Sequence, residues 1–135
     1  MKQLTIDCKL SEIDKVRKFL FQNLINCNLS EEEYFSIELS LLEICTNIVR
    51  YAYPDKKDKI FLKTWREKNI FFLEIRDKGI QFDPRKAKKP DIDEILKTEQ
   101  VGGFGVFISR EFMDGFDYKR EDNQNILIVS KKISA

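Results

Sequence analysis

Ser36-Ile37-Glu38-Leu39-Ser40-Leu41-Leu42-Glu43-Ile44-Cys45-Thr46-Asn47-Ile48-Val49-Arg50 is the stretch that decides how this chain folds. Phe35, Ile37, Leu39, Leu41, Leu42, Ile44, Cys45, Ile48 and Val49 make a helix that is apolar around most of its circumference. At about 3.6 residues per turn, the remaining Ser36, Ser40, Glu43, Asn47 and Arg50 share one side. A solvated face accounts for such a stripe on an ordinary amphipathic helix. Here the stripe is narrow and lacks the Lys/Glu mixture that covers exposed helices, so it reads as the wall of a site.

The start of this helix is written just upstream. Ser30-Glu31-Glu32-Glu33 is a capping box, in which the serine hydroxyl takes the Glu33 amide and Glu33 reaches back. Leu29 and Tyr34 are spaced as a hydrophobic staple. The helix runs to about Tyr51, and Pro54 stops it. Further upstream, Lys2 to Lys9 alternates as a strand, and Ser11 opens a shorter helix to about Cys27 with Ile13, Val16, Phe19, Leu20 and Leu24 at helical spacing.

Downstream, strands are predicted at about 59–67 and 70–76, joined through Lys68-Asn69. Residues 77–101 are charged and irregular, with Pro84, Pro90 and room for one short helix near 91–97; a connection of this length is usually functional or mobile. Gly102-Gly103-Phe104-Gly105 leads into a helix to about Asp114. Two last strands, about 116–120 and 126–132, flank a four-residue turn at Asp122–Asn125. The expected fold class is α+β, a two-layer sandwich with a mixed, mostly antiparallel sheet and helices on one face.

Composition narrows the function. The 135 residues carry 24 Lys+Arg against 23 Asp+Glu, a balance that argues against a general nucleic-acid binder. No apolar run approaches the roughly 20 residues of a membrane helix, and the N-terminus lacks the apolar core of a signal peptide. A cytoplasmic protein with no membrane partner is expected. Cys8, Cys27 and Cys45 are scattered and odd in number, which reads as reduced thiols rather than a disulfide or zinc framework. The chain contains no histidine. That removes Ser-His-Asp and Cys-His catalysis and the phosphoacceptor of a histidine kinase.

Three elements carry chemistry. Glu43 and Asn47 are neighbours four residues apart on the helix. A carboxylate beside a carboxamide oxygen suits magnesium, or a division in which Asn47 binds metal and Glu43 accepts a proton. Asp77-Lys78-Gly79 directly follows a strand. A plain turn explains it equally well; the functional alternative is that Asp77 faces a base. An ionised carboxylate only accepts hydrogen bonds, and adenine offers an amino donor where guanine offers an oxo acceptor. Finally, the glycines at 102, 103 and 105 sit at a helix start, where backbone amides can approach phosphate closely. There is no GxxxxGK[ST] sequence, so this is not a P-loop.

In this order the segments Glu43–Tyr53, Asp77-Lys78-Gly79-Ile80-Gln81-Phe82-Asp83-Pro84 and Gly102–Ile108 resemble the N, G1 and G2 boxes of the GHKL ATPases. Asn47-x-x-Arg50-Tyr51-Ala52-Tyr53, Phe82-Asp83-Pro84 and Phe112-Met113-Asp114 make the chain similar, more narrowly, to the bacterial anti-sigma-factor serine/threonine kinases. The resemblance implies one Bergerat-fold domain over residues 1–135, with a flexible ATP lid at about 83–101. It implies ATP and Mg2+ as ligands and transfer of the γ-phosphate to Ser/Thr of a STAS-domain anti-sigma antagonist. A sigma factor as second partner and a homodimer are also implied. By position, Glu43 would be the general base, Asn47 the metal ligand and Asp77 the adenine acceptor. Gly79 would lie near the base, and Gly102, Gly103 and Gly105 at the phosphates. Arg85, Lys86, Lys88 and Lys89 could close on the triphosphate, meet an acidic partner or simply be solvated, and Thr98 and Gln100 could line the same closure. An ATP-binding switch that sequesters a partner without kinase activity is the alternative, followed by the catalytic half of a split histidine kinase.

Overall fold

The capping box forms as the spacing predicts. Ser30 N–H donates to Glu33 Oε1 at 2.9 Å, and Glu33 N–H donates to Ser30 Oγ at 3.0 Å. The helix they cap begins the central element of a computed structural model that describes residues 1–51, 58–86 and 105–133. Its elements are β1 (Lys2–Asp7), a 3-10 turn (Leu10–Glu12), α1 (Ile13–Leu24), α2 (Glu31–Tyr51), β2 (Lys59–Glu67), β3 (Ile70–Asp77), a 3-10 turn (Pro84–Lys86), α3 (Gly105–Phe112), β4 (Gly115–Glu121) and β5 (Gln124–Lys132). α1 is shorter than the expected 11–27: residues 10–12 wind as 3-10, and the helix ends at Leu24. The short helix expected near 91–97 lies outside the described residues.

The sheet order is β1-β2-β3-β5-β4. Among the described residues all four pairings are antiparallel, the antiparallel part of the expected mixed, mostly antiparallel sheet. Alternation sets the faces. Ile60, Leu62 and Thr64 of β2 are buried, as are Phe71, Leu73 and Ile75 of β3 and Leu127 and Val129 of β5. The apolar ones join Val16, Leu20, Ile37, Leu41 and Ile44 from the helices in one core cluster. Thr64 is the polar exception on this face, and its hydroxyl donates to Asn23 Oδ1 of α1 at 2.9 Å. The other sheet face carries a parallel stack of Trp65 on Phe72, 5.2 Å between centroids. Leu41 has no exposed surface. Leu41→Ala is expected to lower unfolding stability by about 2–5 kcal/mol, read from urea denaturation.

The polar stripe on α2 divides into two parts. Ser36 and Ser40 are buried. α2 packs against α3, and Ser109 Oγ of α3 donates to the Ser40 carbonyl at 3.2 Å. Ser36 bonds back to the Glu32 carbonyl at 2.9 Å. This half of the stripe is therefore a helix seam, where small side chains let two helices approach. Phe35, one of the apolar positions of the helix, is 57% exposed and meets Phe112 edge-on at 6.5 Å. Glu43 and Asn47, one and two turns further along, are half-buried, and Arg50 is exposed.

The β4–β5 turn is tighter than expected. Asp122 and Asn123 both have positive φ, 52° and 61°, as a two-residue type I′ hairpin requires. Gln124 and Asn125, expected in the turn, instead begin β5, with Asn125 paired to Asp77 in register. This one shift brings Asn125 into the site.

Candidate functional site

A pocket opens between α2 and the sheet, concave and mostly apolar as small-molecule sites are. Ile44 and Ile48 form the helix wall, and Ile75 and Leu127 form the sheet floor. Ile80, Phe82 and Pro84 line it from the segment that follows β3. The polar groups are few: Asp77, Tyr118 and Asn125. A largely apolar slot with one carboxylate suits a flat heterocycle carrying a hydrogen-bond donor.

Asp77 ends β3 and is 4% exposed. Its Oδ1 accepts from Gly79 N–H at 2.9 Å and from Asn125 Nδ2 at 3.0 Å. Arg120 fastens the same turn by donating to the Gly79 carbonyl at 2.8 Å. Burial pushes the Asp77 carboxyl above the usual carboxylate range, while the Asn125 and Gly79 donors and the Arg120 charge pull it down. Cys45 lies on the buried side of α2, and burial raises its thiol to about 12, so it is an inert core thiol. Cys8, Cys27 and Cys45 form no disulfide among the described residues.

The expected site residues fall into three groups. Asp77 and Gly79 are brought together at the pocket, with Gly79 buried beside the carboxylate. Glu43 and Asn47 are not among the pocket's lining residues. Each precedes a lining residue on α2, Ile44 and Ile48, and so stands on the adjoining face of the helix. Gly105 opens α3, while Gly102 and Gly103 lie outside the described residues. So do Lys88, Lys89, Thr98 and Gln100. Arg85 is already engaged. It forms a fork with Asp83 at 3.0 and 2.9 Å, lies 5.8 Å over the Tyr118 ring, and accepts the Arg110 guanidinium at its carbonyl. Sequence reasoning missed Asn125, Tyr118 and Arg120. The signal available was Asp122-Asn123, two residues that tolerate positive φ, followed by the alternation Asn125, Leu127, Val129.

Magnesium coordination is compatible with this layout. Among the described residues no group of three or more acidic, cysteine or histidine side chains forms a cage. An amide and a carboxylate on one helix suit a cation that keeps water and phosphate as its other ligands. No helix among the described residues is long and apolar enough to cross a membrane.

Sheet and helices together define an α+β sandwich with an apolar pocket beside Asp77, and comparison with known proteins gives its family. The chain belongs to the histidine kinase-like ATPase domain family, which it matches over residues 6–131. Its curated relatives are protein kinases. It is 32% identical over 97 residues to the serine/threonine-protein kinase BtrW of Bordetella bronchiseptica, covering 71% of this chain and 68% of BtrW. It is 24% identical to the serine-protein kinase RsbW of Bacillus thuringiensis, over 69% of this chain and 61% of that protein. The chain thus spans about three fifths of RsbW's length. The solved RsbU and RsbW domains of Rv1364c from Mycobacterium tuberculosis share the fold, with a TM-score of 0.68 at 13% identity, over 100% of this chain and 33% of that one. A histidine kinase domain from Erythrobacter litoralis shares it at a TM-score of 0.56 and 12% identity, over 91% of this chain and 60% of that one.

Proposed function

We propose that this chain is an ATP-dependent protein serine/threonine kinase of the anti-sigma type. It transfers the γ-phosphate of ATP to Ser or Thr of a STAS-domain antagonist and also holds a sigma factor, acting in the cytoplasm in transcription control. The observation that supports this best is the apolar slot with a single buried, doubly anchored carboxylate, beside a helix face carrying Glu43 and Asn47. The kinase names of the relatives support the reaction class.

Asp77 accepts from the exocyclic amino group of adenine, and Ile44, Ile48, Ile75 and Leu127 exclude water around the ring. Gly79 lets the turn lie close to the base. Gly105, which opens α3, and Gly102 and Gly103, which precede it in the sequence, are the residues assigned to the phosphates. Asn47 offers its carboxamide oxygen to magnesium. When bound with the triphosphate, magnesium neutralises charge on the transferring phosphoryl group. Glu43, one turn before Asn47, takes the proton from the acceptor hydroxyl as its oxygen attacks the γ-phosphorus; ADP leaves and a phosphoester forms. The chain itself has no histidine to phosphorylate.

Incubation with γ-labelled ATP, magnesium and a STAS-domain antagonist tests the reading. An acid-stable, alkali-labile phosphoprotein is expected. Label that is lost in acid would indicate a histidine acceptor on another protein, and absence of label with ATP still bound would indicate a binding switch.

A further inference from the structure

Asn125 uses its whole amide. It is 7% exposed. Nδ2 donates to Asp77 Oδ1 at 3.0 Å and to the Ile80 carbonyl at 2.8 Å. Oδ1 accepts from the Tyr118 hydroxyl at 2.6 Å and from Phe82 N–H at 3.3 Å. These partners fix which way the amide points. Turned over, its oxygen would face Asp77 Oδ1 and the Ile80 carbonyl, two acceptors, and its NH2 would face the Phe82 N–H. Tyr118 stands at the outer end of the relay, on β4, with Arg85 over its ring.

The consequence falls on Asp77. Both donors that hold it, Gly79 N–H and Asn125 Nδ2, bind the same oxygen, Oδ1. Oδ2 carries neither bond and is the acceptor left for a ligand in the pocket that Asp77 lines. We propose that Asn125 and Tyr118 are positioning residues that lock Asp77 as a fixed, ionised acceptor, and so set the preference for a 6-amino over a 6-oxo purine. The proposal rests on the adenine-reading role given to Asp77 above.

The chemistry behind it is donor–acceptor matching. A carboxylate held ionised has nothing to donate, so it meets the amino group of adenine and repels the oxo group of hypoxanthine. Without Asn125's N–H the carboxyl keeps only the Gly79 N–H, is held less firmly, and takes up a proton more readily in this buried setting. A protonated carboxyl has an O–H to offer an oxo oxygen. The locking role thus acts on discrimination between bases. A purely structural role, in which Asn125 only pins Ile80 and Phe82, would weaken both nucleotides alike.

Titration calorimetry with ATP and inosine triphosphate, in magnesium, on wild type, Tyr118→Phe and Asn125→Ala separates these. Asn125→Ala removes four bonds at once and can unfold the chain, so Tyr118→Phe, which loses only a hydroxyl, is the decisive variant. Wild type is expected to prefer ATP by about a hundredfold. In Tyr118→Phe the ATP-to-ITP ratio is expected to fall about five- to tenfold, the effect of one polar contact. An unchanged ratio, or equal weakening of both nucleotides, overturns the positioning role while leaving the adenine-reading role of Asp77 intact. Wild type that binds ATP without preference overturns both.

Discussion

Asp77→Asn is expected to bind ATP about a hundredfold more weakly than wild type, yet to unfold at the same or a higher temperature. The binding loss follows from the exchange of an acceptor for a donor. If the new side chain keeps its oxygen on Gly79 N–H and Asn125 Nδ2, as Oδ1 does now, its NH2 is what faces the ligand. Adenine's amino group then meets another donor. The stability gain follows from burial. Asp77 is 4% exposed, and burial outweighs its donors, holding its carboxyl above the ordinary range. An acid whose folded value is raised binds its proton more tightly in the native state. Stability therefore falls as pH rises from the ordinary carboxylate value through the raised one. Above that window the cost of the buried charge is fully present, and below the ordinary value it is absent. The melting advantage of Asp77→Asn should appear at neutral pH and vanish in acid, as thermal unfolding across pH will read. Wild type that melts higher than the variant at neutral pH would contradict this.

Glu43→Gln is expected to lose phosphotransfer by about 10²–10⁴-fold, the usual contribution of a general base, with ATP affinity nearly unchanged. The substitution keeps size and polarity on a half-buried helix position, so α2 and its seam with α3 are undisturbed. Glu43 is not a pocket-lining residue, and Ile44 and Ile48 would still meet the base. Single-turnover transfer to the STAS-domain antagonist, with calorimetry in parallel, reads the two effects apart. Full transfer in the variant would remove Glu43 from the base role. Equal loss of binding and transfer would make it a nucleotide ligand instead.

Much of this architecture is legible in the sequence because local chemistry and tertiary burial point the same way. Ser30 and Glu33 cap α2 as their spacing requires. Ile60, Leu62 and Thr64 alternate inward as a strand with one face on a core must. The differences arise where tertiary context decides. The helical wheel puts Ser36 and Ser40 on a polar stripe, but it cannot show that both are buried or that Ser109 of α3 reaches the Ser40 carbonyl, because α3 lies some 70 residues away and small polar side chains suit both water and a tight seam. For the same reason it cannot show that Phe35, one of the apolar positions, is exposed. At the site, Asp77 is marked by the strand and Gly79 that flank it. Asn125 is not, since Asp122-Asn123-Gln124-Asn125 is uniformly turn-like, and only strand register shows that the last residue faces Asp77.

The most direct test of the central claim is titration of the wild-type protein with ATP and with GTP in the presence of magnesium. Asp77 as a buried, acceptor-only carboxylate predicts that ATP binds and GTP is weaker by about a hundredfold or more. Equal affinity for the two, or no binding of ATP, would contradict it.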